Sequence, residues 1–293
     1  METVKKYLQL VTFSHTVFAL PFAIIGFTLG WAKMQQHPAT ESKPLGIIFL
    51  LVLGCMVTAR SAAMAFNRYL DRSFDANNPR TALREIPAGL IAPSSALRFV
   101  VINAFFFMLF AFLINSICFY LSPVALTVIL FYSYTKRFTP LCHLVLGLGL
   151  SLAPIGAYLA VTGVFDLLPL LFSFAVIGWV GGFDIIYALQ DEEFDRDNHL
   201  NSIPVLLGKK GGLIFSTLLH LITAVIIVLI GLFFLHSIWY WMGAAIFISM
   251  LIYQHAIVKP NDLSRVNIAF MTANGIASVV FSIFVIIGIL NQN

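Results

Sequence analysis

Nine predominantly apolar stretches, 17–34, 46–66, 99–121, 123–135, 143–163, 167–187, 213–235, 238–258 and 268–290, divide the chain, separated by short polar connections. Crossing ~30 Å of hydrocarbon takes ~20 apolar residues in a helix, so each stretch except the short fourth is long enough to span a bilayer. With 60% of the 293 residues hydrophobic and only 10% charged, no soluble domain is expected. The expected fold class is therefore all-α, a polytopic membrane protein forming one domain over 1–293. Lys5 and Lys6 precede the first stretch, which lacks a small-residue cleavage site and reads as a retained helix.

The formal charge of +4 suggests nucleic acid or lipid as a partner only until its placement is considered. Nine spans put successive connections on alternating faces. Lys5 and Lys6, then Arg60, Arg68, Arg72, Arg80, Arg84 and Arg98, then Lys136 and Arg137, then Arg196, Lys209 and Lys210, and finally Lys259 and Arg265 all fall on one face or its flanks. Of the 17 basic residues, only Lys33 and Lys43 fall on the other. By the positive-inside rule the basic face is cytoplasmic. No nucleic-acid partner is expected.

The acidic residues share that face. Asn67, Asp71 and Asp75 stand one helical turn apart, and Arg60, seven residues earlier, falls on nearly the same stripe. Asp191 and Asp195 repeat the spacing, with Asp184 deeper on the same face. Carboxylates one turn apart repel unless a cation lies between them. Magnesium suits such a set, because it takes a few carboxylates together with substrate phosphates. Between the segments, Tyr132 and Lys136 are also one turn apart, and both can contact a diphosphate, as can Arg80 and Arg84.

Blander readings compete with these. One acidic pair at a helix end is more often a solvated face, whereas two pairs of identical spacing on one membrane face are hard to obtain by chance. Headgroup contact is as ready a role for Arg80, Arg84 and Arg137, and the favoured one for Lys209 and Lys210. Cys55, Cys118 and Cys142 read as packing residues, and the seven histidines as polar packing with no ligand pairing. Most of the 28 phenylalanines are expected in core or facing lipid, a minority lining a tunnel where their ring faces steady an allylic cation.

Together these motifs resemble the UbiA superfamily of intramembrane prenyltransferases across nearly the whole chain. The carriers are Asn67-x-x-x-Asp71-x-x-x-Asp75, then Arg80, Thr81, Arg84, Pro87 and Gly89, then Tyr187 with Asp191 and Asp195, and Tyr132-x-x-x-Lys136. The opening His15-Thr16-Val17-Phe18-Ala19-Leu20-Pro21 and the run from Asp184 to Asp195 are most similar to 4-hydroxybenzoate polyprenyltransferases and the related enzymes that prenylate a naphthoate for menaquinone. The resemblance implies a nine-helix bundle around a central cavity, with a side opening to lipid. It also implies one or two magnesium ions, with a polyprenyl diphosphate and an aromatic acceptor as substrates, in the bacterial inner membrane.

On that reading Asn67, Asp71, Asp75, Asp191 and Asp195 hold metal, and Arg80, Arg84, Lys136 and Asn67 bind diphosphate. Asp71, Asp191, Lys136 and Tyr132 carry the chemistry, while Arg137, Asp184 and Tyr187 meet the acceptor. The rival from another class is an ion-coupled secondary transporter, which needs charges near the bilayer midplane and broken central helices.

Overall fold

The computed structural model describes residues 6–7, 9–11, 18–36 and 43–291; Lys5, His15, Thr16, Val17 and His37 lie outside them. Among the described residues nine long helices follow in order: α1 Leu20–Gln36, α2 Leu45–Leu70, α3 Pro93–Ile114, α4 Ser116–Thr135, α5 Cys142–Thr162, α6 Leu167–Ala188, α7 Ile203–Phe233, α8 Ile238–Ile257 and α9 Ile268–Leu290. Eight of them are long and apolar enough to cross a membrane, and α1 has 17 residues. No strand occurs among the described residues beyond an isolated bridge between Lys259 and Asp262.

One boundary differs from the sequence expectation. The break between the third and fourth helices falls at Asn115, not near Ser122. Asn115 caps α4, its Oδ1 accepting the Cys118 amide at 2.9 Å, while its Nδ2 donates to the Leu159 carbonyl at 2.9 Å. Pro123 lies inside α4. Its missing N–H would strand the Phe119 carbonyl, and the Ser122 hydroxyl donates there instead, at 2.8 Å. The seventh helix also starts earlier than expected, at Ile203, with a bend at Gly208 (φ 69°).

The two acidic segments are built alike. α2 ends at Leu70, breaks at Asp71 (φ −86°, ψ 5°), and gives way to a six-residue helix, Arg72–Asn77. α6 ends at Ala188, runs through a tight turn to Asp191 (φ −102°, ψ 3°), and gives way to the six-residue Glu192–Asp197. Both aspartates sit in the sparsely used bridge region that often holds active-site residues.

Packing divides the bundle. α1 lies against α5 and α9, α5 against α6, and α6 against α7. Phe22, Trp179, Phe247 and Phe281 interlock where α1, α6, α8 and α9 meet, with ring centroids 5.0 to 6.3 Å apart. Gly26 lets α1 approach α5: a methyl group there would stand 2.0 Å from the Pro154 carbonyl oxygen. On the other side α3 and α4 are only 17% buried along their spans, against 67% for α6. Between α2, α3, α4 and α5 lies an apolar cavity of about 390 Å³.

Candidate functional site

A second, polar cavity of about 150 Å³ opens where the C-terminal ends of α2, α4 and α6 meet the N-terminal ends of α5 and α7. It gathers Asn67, Asp71, Asp75, Arg80, Arg84, Tyr132, Lys136, Asp184, Tyr187, Asp191 and Asp195, every expected site residue except Arg137. Residues from 67 to 195 converge because both breaks, at Asp71 and Asp191, turn a short helix across the same end of the bundle.

Four of the cavity's five aspartates meet an arginine or a lysine, and the fifth, Asp184, meets His143. Arg80 donates to Asp191 from Nε to Oδ1 at 3.0 Å and from Nη2 to Oδ2, and from Nη1 to the Tyr187 hydroxyl at 2.8 Å. Arg84 Nη1 donates to Asp75 Oδ1 at 2.7 Å. Lys136 bridges the two segments, its Nζ lying 3.9 Å from Asp71 Oδ2 and 3.9 Å from Asp195 Oδ1. Asn67 Nδ2 donates to Asp71 Oδ2 at 3.3 Å. Burial pushes the Asp71 carboxyl above its ordinary range; Lys136 pulls it down, Asp75 adds to the push and Arg137 opposes it.

The loop carrying both arginines has its own scaffold. The Asn78 side chain accepts the Arg80 amide at 2.9 Å, and the Thr81 hydroxyl donates to the Asp75 carbonyl at 3.2 Å. Gly89, at φ 73°, takes the left-handed turn that ends the motif.

Among the described residues no three His, Cys, Asp or Glu side chains converge to enclose a metal by themselves. Lys136 stands between Asp71 and Asp195, while Arg80 and Arg84 engage Asp191 and Asp75. Two buried polar atoms at the cavity nevertheless have no hydrogen-bond partner, Asp75 Oδ2 and Ser133 Oγ, and such atoms are costly unless something completes them. Oxygen donors lying in separate pairs, with their cations able to turn to an anion, fit a hard divalent cation that arrives with phosphate ligands.

Two sequence expectations change. Arg137 lines neither cavity; it donates to the Leu70 carbonyl at 3.0 Å, lies 3.5 Å from Asp71, and covers the Phe74 ring. Histidines do pair: His143 Nδ1 lies 2.7 Å from Asp184 Oδ2, and His220 Nδ1 lies 2.9 Å from His255 Nε2. The phenylalanines divide as expected between the core and the exposed outer faces of the helices, and only Phe107 and Phe165 among those described line the apolar cavity. That cavity's one charged lining residue among those described is Arg60, and Tyr132 is common to both cavities.

Residues 19–276 match the model of the UbiA prenyltransferase family. A 4-hydroxybenzoate octaprenyltransferase of Tolumonas auensis is 29% identical over 252 residues, covering 86% of this chain and 87% of its own. Its counterpart from Photobacterium profundum is 29% identical over 285 residues, 96% of each chain. The apo structure of a UbiA homologue from Aeropyrum pernix K1 superposes with a TM-score of 0.78 at 29% identity, over 95% of this chain and 98% of that one. A homologue from Archaeoglobus fulgidus, solved bound to GPP and Mg2+, shares the fold with a TM-score of 0.72 at 20% identity, over 97% of this chain and 99% of that one.

Proposed function

Since the chain belongs to the UbiA prenyltransferase family, we propose that it transfers a polyprenyl group from polyprenyl diphosphate to 4-hydroxybenzoate in quinone biosynthesis, at the cytoplasmic face of a bacterial inner membrane. The observation that carries this reading is the pair of cavities sharing Tyr132, one polar and lined by five aspartates with three basic side chains, the other apolar. A prenyl diphosphate is an anion joined to a hydrocarbon, and each cavity suits one end of it. The relatives named above support the acceptor.

Magnesium is the proposed cofactor, with Asn67, Asp71, Asp75, Asp191 and Asp195 as its holders; when bound it neutralises the charge that builds on the leaving diphosphate. Arg80, Arg84 and Lys136 now rest on those carboxylates. When an anion enters they turn to it, freeing the carboxylates for the metal. Tyr132, at the mouth of the apolar cavity, marks the level of the allylic carbon, and no protein nucleophile is needed. An electron-rich ring carbon ortho to the phenol attacks there. Asp184 takes the ring proton, and Tyr187 orients Arg80.

Arg60 fits the acceptor carboxylate better than Arg137, since it projects into the apolar wall where an uncompensated carboxylate needs a partner. The clustering of acidic pairs at one face, away from the midplane, argues against a transporter. The test is transfer by purified protein in detergent with magnesium and a polyprenyl diphosphate, offering 4-hydroxybenzoate and dihydroxynaphthoate in parallel. Product with 4-hydroxybenzoate, lost in Asp71→Ala and Asp191→Ala, is expected. Product with the naphthoate alone would reassign the acceptor, and none with either would sink the reading.

A further inference from the structure

His143 is almost completely buried at the polar cavity, in the first turn of α5, and has no part in binding metal or diphosphate. Its two ring nitrogens have different partners. Nε2 lies 3.4 Å from the backbone N–H of Ile203, the first residue of α7, and Nδ1 lies 2.7 Å from Asp184 Oδ2 in the last turn of α6. A backbone amide only donates, so Nε2 accepts and the ring proton sits on Nδ1. The tautomer is thus assigned by the hydrogen bonds, and it aims the proton at Asp184.

Held this way, Asp184 is a carboxylate with Oδ2 engaged and Oδ1 left to the cavity, on whose wall Tyr132 also stands. The same α7 terminus that fixes the imidazole therefore fixes the carboxylate through it. We propose that His143 is a positioning residue for prenyl transfer, holding Asp184 in the one orientation from which Oδ1 takes the ring proton of the alkylated acceptor. This rests on the aromatic acceptor reading above. In that step the allylic C–O bond breaks and its electron pair leaves on the diphosphate. A ring π pair forms the new C–C bond, then the C–H pair returns to the ring as the proton passes to Asp184 Oδ1 and on to water.

Placement explains why a second group is needed. An aspartate has two freely rotating torsions, and a carboxylate near the apolar end of the cavity is stabilised by any donor that freezes it while hydrogen bonding one oxygen. Partners of this kind, acting through a functional group, are commonly worth 10- to 100-fold in activity.

The test compares wild type with His143→Leu and His143→Asn, using 4-hydroxybenzoate carrying either hydrogen or deuterium at the reacting ring carbons. Leucine removes the donor, and kcat is expected to fall roughly 10- to 100-fold with KM for the prenyl diphosphate unchanged. Proton removal then becomes slow enough to expose a primary deuterium isotope effect on kcat that wild type lacks. Asparagine, whose amide Nδ2 takes the place of Nδ1, is expected to restore most of kcat and to abolish that isotope effect.

A His143→Leu enzyme with wild-type kcat, or a slow one without the isotope effect, overturns the proposal. So does His143→Asn as slow as His143→Leu, a comparison that still decides if the leucine variant fails to fold, because asparagine retains both polarity and donor. Wild-type protein that binds prenyl diphosphate and alkylates no aromatic acceptor overturns the functional reading and this proposal together. Wild-type turnover left intact by His143→Leu overturns this proposal alone.

Discussion

Arg80 grips Asp191 with two nitrogens across 111 residues of sequence, tying the loop after α2 to the break after α6. The fork geometry belongs to arginine, since a lysine keeps the charge but presents a single point donor. Arg80→Lys is therefore expected to lower kcat/KM for prenyl diphosphate by about tenfold or more. Tyr187→Phe removes one hydrogen bond from the same guanidinium and is expected to cost less. Steady-state kinetics of the two variants side by side check the ordering.

Lys136 keeps Asp71 and Asp195 apart in charge as well as in space. Lys136→Gln leaves two buried carboxylates facing one cavity without their shared cation. Its melting temperature without metal is expected to fall below that of wild type, while added magnesium raises it by a larger increment than in wild type. Transfer activity is expected to be lost. Equal magnesium increments in the two proteins would show that Lys136 does not substitute for the metal.

Arg60 gives a prediction specific to one substrate. Arg60→Leu is expected to raise KM for 4-hydroxybenzoate roughly tenfold or more, with prenyl diphosphate binding within about twofold of wild type. Against a phenol lacking the carboxylate, the two enzymes are expected to perform alike. A uniform loss with both acceptors would assign Arg60 to the cavity wall instead.

Gly26 tests the packing of the bundle. Its absent side chain allows α1 to touch the backbone at Pro154, so Gly26→Ala forces the two helices apart at a cost of about 1–3 kcal/mol. The variant is expected to melt earlier in detergent while retaining its KM for prenyl diphosphate.

On the opposite face Lys33 pairs with Asp166, which also accepts from the Tyr158 hydroxyl at 3.1 Å. The hydrogen bond from Lys33 holds the Asp166 carboxyl below its usual range, burial opposing it. A carboxyl depressed on folding adds stability above its unfolded value and loses it as pH falls through its folded one. Both groups are partly exposed, so solvent screens the pair. Asp166→Asn is expected to leave transfer unchanged and to shift the melting temperature by only a degree or two at neutral pH, a difference that vanishes in strong acid.

The sequence carried the spans and the two acidic segments because their signals are local: apolar runs, and Asp spacings of four residues. It misplaced the α3–α4 boundary because Pro123 resembles a breaker, and the bonds that excuse it run through Ser122 and Asn115. The pairs His143–Asp184 and His220–His255 were illegible, being 41 and 35 residues apart on helices whose facing sides only packing defines. Arg137 was credited with the acceptor through its adjacency to Lys136, yet one residue along a helix end turns the side chain about 100° away. Arg60 was visible on the Asn67 stripe, but its depth among apolar residues was not.

The thin burial of α3 and α4 has a consequence for where the protein works. Those two helices form the outer wall of the apolar cavity and stand mostly exposed along their spans, so acyl chains press on one side of the wall while the substrate tail presses on the other. Lateral pressure and hydrocarbon thickness thereby set how wide the compartment stands. Catalytic competence is then a property of the protein together with its lipids, and the same polypeptide in micelles and in bilayers of different thickness is not the same catalyst.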